Sequence, residues 1–341
     1  MSASKAAKMF LMRILPVKHL KGIELIPGSL IFFLMVVMAT AAWGNVNALF
    51  HDSSPDNTNN RVSVSLVPAV AGLADVDRQT DIFWLGVDMD IREGWHVYWR
   101  NPGDSGLPTT IRWDEHGFLT PGKIHWPRPA RFDEDGITTY GYSDRVVLLV
   151  PVSVSPEKHN ASERSTESNA ADNDREYALS AHINWLVCKD ICLPESTQLT
   201  LDVDDNGGFS GYSETAAGII AESRKLVPES VSGWQAEAEL ESGRFTITLV
   251  PGSEKALFPD SDDIYFYPHE QGIIEHTAPQ IVAAYGDRMK LEVEASRYLR
   301  TTPGTITGVL SSGKSGKSWV QDRSIPAIEI TMPVISGADP E

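Results

Sequence analysis

Tyr177-Ala-Leu-Ser-Ala-His-Ile-Asn-Trp-Leu-Val-Cys-Lys-Asp-Ile-Cys-Leu-Pro194 carries both the fold signal and the chemical signal of this chain. Tyr177, Leu179, Ala181, Ile183, Trp185 and Val187 recur at every second position, the period of a strand with one face buried. The same alternation runs through Phe83, Leu85, Val87, Met89 and Ile91, with Trp84, Gly86, Asp88 and Asp90 on the opposite face. It returns in Val146, Leu148, Val150, Val152 and Val154, then in Leu199, Leu201 and Val203. Asn101-Pro-Gly-Asp104 and Asp133-Glu-Asp-Gly136 read as turns between such runs. Short strands with Gly/Pro turns and no long helix predict an all-β chain, with a β-sandwich over residues 61–205.

Within that span, Ser155–Glu176 is polar and reads as a long hairpin loop. Residues 206–230 are expected to form a helical connector, with a helix over Glu214–Ser223, Ser213 as its N-cap and Pro228 beyond its end. A second, smaller β-rich domain is expected over 231–335. Its strands are Trp234–Leu240, Phe245–Val250, Ile264–Tyr267, Met289–Val293, Thr305–Leu310 and Ala327–Met332. Ser311-Ser-Gly-Lys-Ser-Gly-Lys-Ser318 lacks the spacing and strand-to-helix setting of a phosphate loop and reads as a hairpin loop.

Residues 1–48 read as a signal peptide: a basic leader with Lys5, Lys8, Arg13, Lys18 and Lys21, the apolar run Leu30–Ala39, and a small-x-small site at Val46-Asn47-Ala48. An uncleaved anchor is the alternative. Residues 49–60 read as a disordered linker. The formal charge of −17 becomes −21 without the leader. Such a surface argues against nucleic acid and anionic membrane as partners.

Cys188 and Cys192 are the only cysteines in 341 residues. Four residues of extended strand span roughly 13 Å, whereas a disulfide needs Cα atoms about 4.4–6.8 Å apart, so the chain must turn between them. A tight hairpin with Lys189-Asp190-Ile191 at its tip would set the two opposite each other; a single helical turn would also work, but Pro194 and the β-branched run before Cys188 favour the hairpin. Closing so small a loop stabilises by only about 2 kcal/mol, and a sandwich of this size has core enough without it. Redox chemistry therefore leads, with two rivals: a local brace in an exported protein, and copper(I) held by the two thiolates, with His182 or His96 considered as a third ligand. His182 lies about 20 Å along the strand from Cys188, too far to share an ion. No cofactor and no resident metal are expected.

Asn184-Trp-Leu-Val-Cys-Lys-Asp-Ile-Cys-Leu-Pro194 resembles the active-site segment of the N-terminal periplasmic domain of the thiol:disulfide interchange protein DsbD. It is closer still to the suppressor-of-copper-sensitivity B proteins. Gly94-Trp-His-Val-Tyr-Trp-Arg-Asn-Pro-Gly-Asp-Ser-Gly-Leu-Pro108, Ile124-His-Trp-Pro-Arg-Pro-Ala-Arg-Phe132 and Thr139-Tyr-Gly-Tyr-Ser-Asp-Arg-Val146 are similar to family segments too. The resemblance covers about residues 61–205, and the second β unit resembles the extra domain of shorter, freestanding relatives.

The resemblance implies an immunoglobulin-like sandwich in the periplasm that takes electrons from a membrane-embedded partner. It would hand them to disulfide isomerases or to the thioredoxin-like reductases of cytochrome c maturation. Cys192 would form the mixed disulfide and Cys188 would resolve it. Family members that continue into a membrane domain and a thioredoxin-like domain differ from this chain, which stops at Glu341 and would need a separate membrane donor. DsbD also places an acidic pair and then an aromatic cap over its disulfide. Asp133-Glu134 match the acids, while Asp135 falls where the cap would be, which leaves the pair uncovered and less selective.

Lys189 beside Cys188 favours a thiolate, whereas Asp190, Asp133 and Glu134 oppose it. Counting charges, reduced Cys192 is expected to have an ordinary or raised pKa. Trp95, Trp99, Tyr140 and Tyr142 are candidate exposed aromatics on a docking face. Core packing is the stronger reading for Trp95 and Trp99, docking for Tyr140 and Tyr142. Three functions follow in order: a thiol–disulfide exchange protein, a redox-silent immunoglobulin-like binding or assembly module, and a copper(I)-handling protein.

Overall fold

A computed structural model of the protein describes residues 60–336, apart from 115–116, 156–177, 205, 231–233, 253–255, 260–262 and 322. The expected leader, the linker up to residue 59 and nearly all of the Ser155–Glu176 loop lie outside the described residues.

Two antiparallel sheets form the sandwich. One is ordered β1 (Val62–Pro68), β2 (Ile82–Ile91), β8 (Arg145–Val154), β5 (Leu119–Pro121). The other is ordered β10 (Cys192–Asp202), β9 (Ala178–Cys188), β3 (His96–Gly103), β7 (Ile137–Ser143), β6 (Ala130–Glu134), with β4 (Thr110–Trp113) also on β9. Phe83, Leu85, Val87 and Met89 from the first sheet meet Val97, Trp99, Ile183, Trp185 and Val187 from the second in one buried cluster. Each such side chain stabilises by about 1.5–3 kcal/mol when fully buried. The all-β class read from the alternation, with the immunoglobulin-like sandwich that the resemblance implies, is the class observed.

The reading of β2 as exposed on its second face needs correcting. Gly86 and Asp88 are buried there as well, Gly86 beneath α1 (Glu214–Arg224) and Asp88 beneath the Arg145 guanidinium, which donates to both its carboxylate oxygens. Ile220 packs with Val67, Val147 and Leu149, and the Arg224 guanidinium sits 5.0 Å over the Trp84 ring. A Cβ at Gly86 would come within 2.7 Å of Val147 Cγ1 and 3.3 Å of Ile220 Cγ1, so glycine is what lets the helix approach. Ser213 caps the helix as expected, its Oγ accepting from Ala216 N at 3.0 Å.

Asn101-Pro-Gly-Asp104 is not a free turn. Asn101 to Gly103 complete β3, whose register against β7 slips between Tyr98 and Gly103. The slip frees Asn101 to bond outside its own sheet. Asp135 (φ 50°) and Gly136 (φ 79°) form the two-residue turn of the β6–β7 hairpin, both left-handed as such a turn requires.

The C-terminal β-rich region is a seven-stranded sheet ordered β13 (Tyr265–Pro268), β16 (Thr305–Ser311), β17 (Ala327–Ser336), β11 (Trp234–Glu241), β12 (Arg244–Pro251), β15 (Arg288–Glu294), β14 (Ile281–Tyr285). Strand β17 pairs with β16 through Ala327–Pro333 and with β11, in parallel, through Val334–Ser336. It thus joins two layers around a second core containing Phe245, Ile247, Phe266, Leu291, Leu310 and Trp319. The Ser311–Ser318 segment connects β16 to β17, and Gly313 O accepts from Arg128 Nη1 at 2.6 Å. Tyr267, Val309 and Ala327 of this sheet belong to the sandwich's own buried cluster. Asn101, fully buried, donates to Pro268 O (2.8 Å) and Glu270 O (3.1 Å).

Candidate functional site

Strands β9 and β10 are one hairpin, in register from Leu201 opposite Leu179 up to Cys192 opposite Cys188. The turn is closed by Lys189 N donating to Ile191 O at 3.1 Å. The two cysteines form a disulfide with their Cα atoms 4.1 Å apart, opposed across a hairpin, the favoured of the two reversals the spacing allows. Their exposures differ sharply: Cys188 is 2% exposed, whereas Cys192 is exposed at the hairpin end.

The neighbour on the far side of β9 is β3, with His96 directly opposite Cys188. Two residues on, Tyr98 projects to the same face. Its hydroxyl donates to Cys188 Sγ at 2.8 Å and lies 3.6 Å from Cys192 Sγ. The His96 ring meets Tyr98 edge-on at 5.2 Å and stacks on Phe132 of β6 at 4.9 Å, with 16° between planes. Burial and the nearby Glu134 carboxylate hold the Tyr98 phenol above its usual pKa, so it keeps the proton it donates. Burial lowers the pKa of His96 and Glu134 partly opposes the shift, so the imidazole is neutral near pH 7.

The acidic pair divides. Glu134 shares its strand face with Phe132, and its charge acts on His96 and Tyr98. Asp133, expected beside the sulfurs, instead accepts at Oδ1 from Arg131 Nε (2.8 Å) and Thr138 Oγ1 (2.6 Å). Adjacent strand residues point to opposite faces, so both could not reach the disulfide. Asp135 sits in the hairpin turn, where an aromatic cap is disfavoured by its left-handed backbone. The aromatic group stands one residue before the acids, as Phe132. Phe132 stacks on His96 and Cys188 is buried, so the expectation of an uncovered pair fails for Cys188 and holds for Cys192.

Tyr140 and Tyr142 are not docking groups, because both are buried. Tyr140 OH bonds Tyr265 OH (3.2 Å) and His276 Nδ1 (3.0 Å) of the C-terminal region. Tyr142 OH donates to Pro127 O at 2.7 Å. Trp99 is a core residue at 1% exposure, and half-buried Trp95 packs under the Arg61 guanidinium at 5.2 Å. Lys189 and Asp190 are exposed beside the disulfide, and the Lys189 side chain passes over Gly94, where a Cβ would lie 3.1 Å from Nζ. His182 Nε2 is 3.1 Å from Asp114 Oδ2. Among the described residues no group of three or more His, Cys, Asp or Glu is placed to hold a metal.

Tyr98 and Phe132 were not singled out by sequence reasoning, although both lie in the family-like segments. The signal available was the two-residue step from His96 to Tyr98. Nothing local tells which strand lies next to Cys188.

Residues 64–204 match the family model described as thiol:disulfide interchange protein DsbD, N-terminal. The N-terminal periplasmic domain of ScsB from Proteus mirabilis has a similar structure, with a TM-score of 0.52 at 19% identity, covering 82% of this chain and 96% of that one. Titin Ig tandem domains A164-A165 align with a TM-score of 0.17 at 10% identity, over 76% of this chain and 89% of that one. No curated protein matches the chain. Among the described residues, no helix is long and apolar enough to cross a membrane.

Proposed function

We propose that this chain, whose sandwich matches the DsbD N-terminal family, is a periplasmic thiol–disulfide exchange protein working through Cys188 and Cys192. The observation that carries this reading is the asymmetry of the sulfurs. Exchange needs one sulfur open to in-line attack and one able to leave as a thiolate. Cys192 is exposed, and Cys188 is buried with the Tyr98 hydroxyl on its sulfur.

An incoming donor thiolate attacks Cys192 Sγ. A bond forms between the donor sulfur and Cys192, the Cys188–Cys192 bond breaks, and Cys188 leaves with the electron pair. The Tyr98 hydrogen bond strengthens as that charge develops, which lowers the barrier more than the ground state. A second donor thiolate then attacks its own partner sulfur in the mixed disulfide and releases Cys192, with protons from water completing the dithiol. Two electrons have entered the pair. Running the steps in reverse against an oxidised protein passes them on. A membrane reductase suits the donor role, and thioredoxin-like proteins, disulfide isomerases or cytochrome c maturation factors suit the acceptor role. Asp190, in the turn between the cysteines, and Glu134, whose charge acts on Tyr98, restrain ionisation until a partner docks.

Partner trapping tests this. Cys188→Ser leaves the exposed thiol unable to resolve, and is expected to accumulate a covalent partner that dithiothreitol releases. The reduction potential is expected between about −120 and −270 mV, within reach of periplasmic donors. A potential below about −300 mV with an empty trap would instead identify the pair as a brace in a binding module.

A further inference from the structure

We propose that Arg131 and Tyr265 are positioning residues through which the C-terminal sheet holds Phe132 on His96, the residue opposite Cys188 of the disulfide. The inference rests on reading that pair as an exchange site, and assigns the C-terminal region a part in it.

Strand β6 is where the two are joined. Among the described residues it is the edge of its sheet, paired with β7 and with no strand on its outer side. Its side chains alternate in what they serve. Phe132 stacks on His96, and Glu134, two residues on, shares its strand face. Arg131 and Asp133 point the other way. The Arg131 guanidinium lies 5.0 Å over the ring of Tyr265 from β13. It also donates through Nε to Asp133 Oδ1 (2.8 Å) and through Nη2 to Thr138 Oγ1 (3.4 Å). Phe132 is thus flanked in sequence by two residues that are clamped to each other, one of them against the C-terminal sheet.

Tyr265 is itself fixed. Its hydroxyl lies 3.2 Å from Tyr140 OH and donates to His276 O at 3.4 Å, and its ring sits 4.7 Å from Tyr267. An edge strand held by one neighbour opens readily. A half-buried cation–π contact shifts such an opening equilibrium by about 3- to 30-fold. Loss of the clamp lets β6 lift, carries Phe132 off His96 and admits reagents to the buried sulfur.

The test uses the full chain with Cys192→Ser, so that buried Cys188 is the one thiol, and reads its alkylation rate by iodoacetamide without denaturant. Arg131→Gln and Tyr265→Leu are each expected to raise the rate about 3- to 30-fold, and the double variant no more than the larger single. Arg131→Lys, which keeps a cation over the ring, and Tyr265→Phe, which keeps the ring, are expected to restore most of the protection. Asn101→Ala weakens the same joint away from β6 and is expected to lower the melting temperature without changing the rate.

An unchanged rate in folded Arg131→Gln overturns the proposal. So does an equal rise in Asn101→Ala, since general loosening would then explain everything. Should Tyr265→Leu not fold, the Arg131→Gln and Arg131→Lys pair decides alone. The two-cysteine parent's reduction potential and trap report separately on exchange, so either idea can fail without the other.

Discussion

The Tyr98 hydroxyl stands 2.8 Å from the buried sulfur of Cys188 and 3.6 Å from the exposed sulfur of Cys192. One proton donor therefore serves both sulfurs and favours the one that leaves. A hydrogen bond to a charged group is worth about 1.5–3 kcal/mol. Tyr98→Phe is expected to slow reduction of the disulfide by a small dithiol about 10- to 100-fold, with little change in melting temperature. A slowing under twofold would remove Tyr98 from the mechanism.

Unequal burial predicts unequal reactivity. With each cysteine tested alone, Cys192 in Cys188→Ser is expected to alkylate at least about tenfold faster than Cys188 in Cys192→Ser. The rate for Cys192 should rise with pH through an inflection at or above about 8.5, because Asp190 and Glu134 oppose the anion and Lys189 is drawn across Gly94. An inflection well below 7 would contradict this charge argument.

Buried imidazoles set a pH dependence of stability. Burial lowers the pKa of His96, His276 and His269 in the folded protein, the last to about 4 with Arg100 adding to the effect. Unfolded, each titrates near 6.5. As pH falls below 6.5 the unfolded chain takes up protons that the fold refuses, so stability that is complete above 6.5 declines toward pH 4. Melting temperatures between pH 7 and 5, above the range of the carboxylates, should fall steadily. His269→Phe should flatten the slope, and a level profile in the parent would rule the effect out.

Gly141 meets β3 so closely that a Cβ would lie 2.0 Å from Val97 O. Gly141→Ala must push β7 from β3, and with it the strand that carries Phe132. A loss of about 3 kcal/mol or more is expected in urea denaturation. Gly218→Ala, on the helix with nothing within 4 Å of its Cβ, should be neutral or stabilising by up to about 1 kcal/mol.

Period-two patterning revealed β2, β8 and β9 because each has one face on the core, and the cysteine spacing required a reversal that Pro194 and the β-branched run before Cys188 made a hairpin. The same logic was blind to β3. That strand is buried along most of its length, because its far face serves the disulfide at Tyr98 and the C-terminal sheet at Asn101. Tyr140 and Tyr142 looked available because a Gly between them suggests a turn, and only the packing of β13 shows Tyr140 covered. His96 and Cys188 are 92 positions apart in sequence yet directly opposed, a relationship no local window contains.

The hairpin register has a kinetic consequence. Backbone pairing from Leu201 opposite Leu179 up to the cysteines themselves is independent of the sulfur–sulfur bond, so reduction leaves both side chains facing each other at the strand ends. A thiol captured on Cys192 is then always within striking distance of Cys188, at an effective concentration far above that of any free competitor. Covalent encounters are brief by construction, and a long-lived adduct should form only when the resolving sulfur has been taken away.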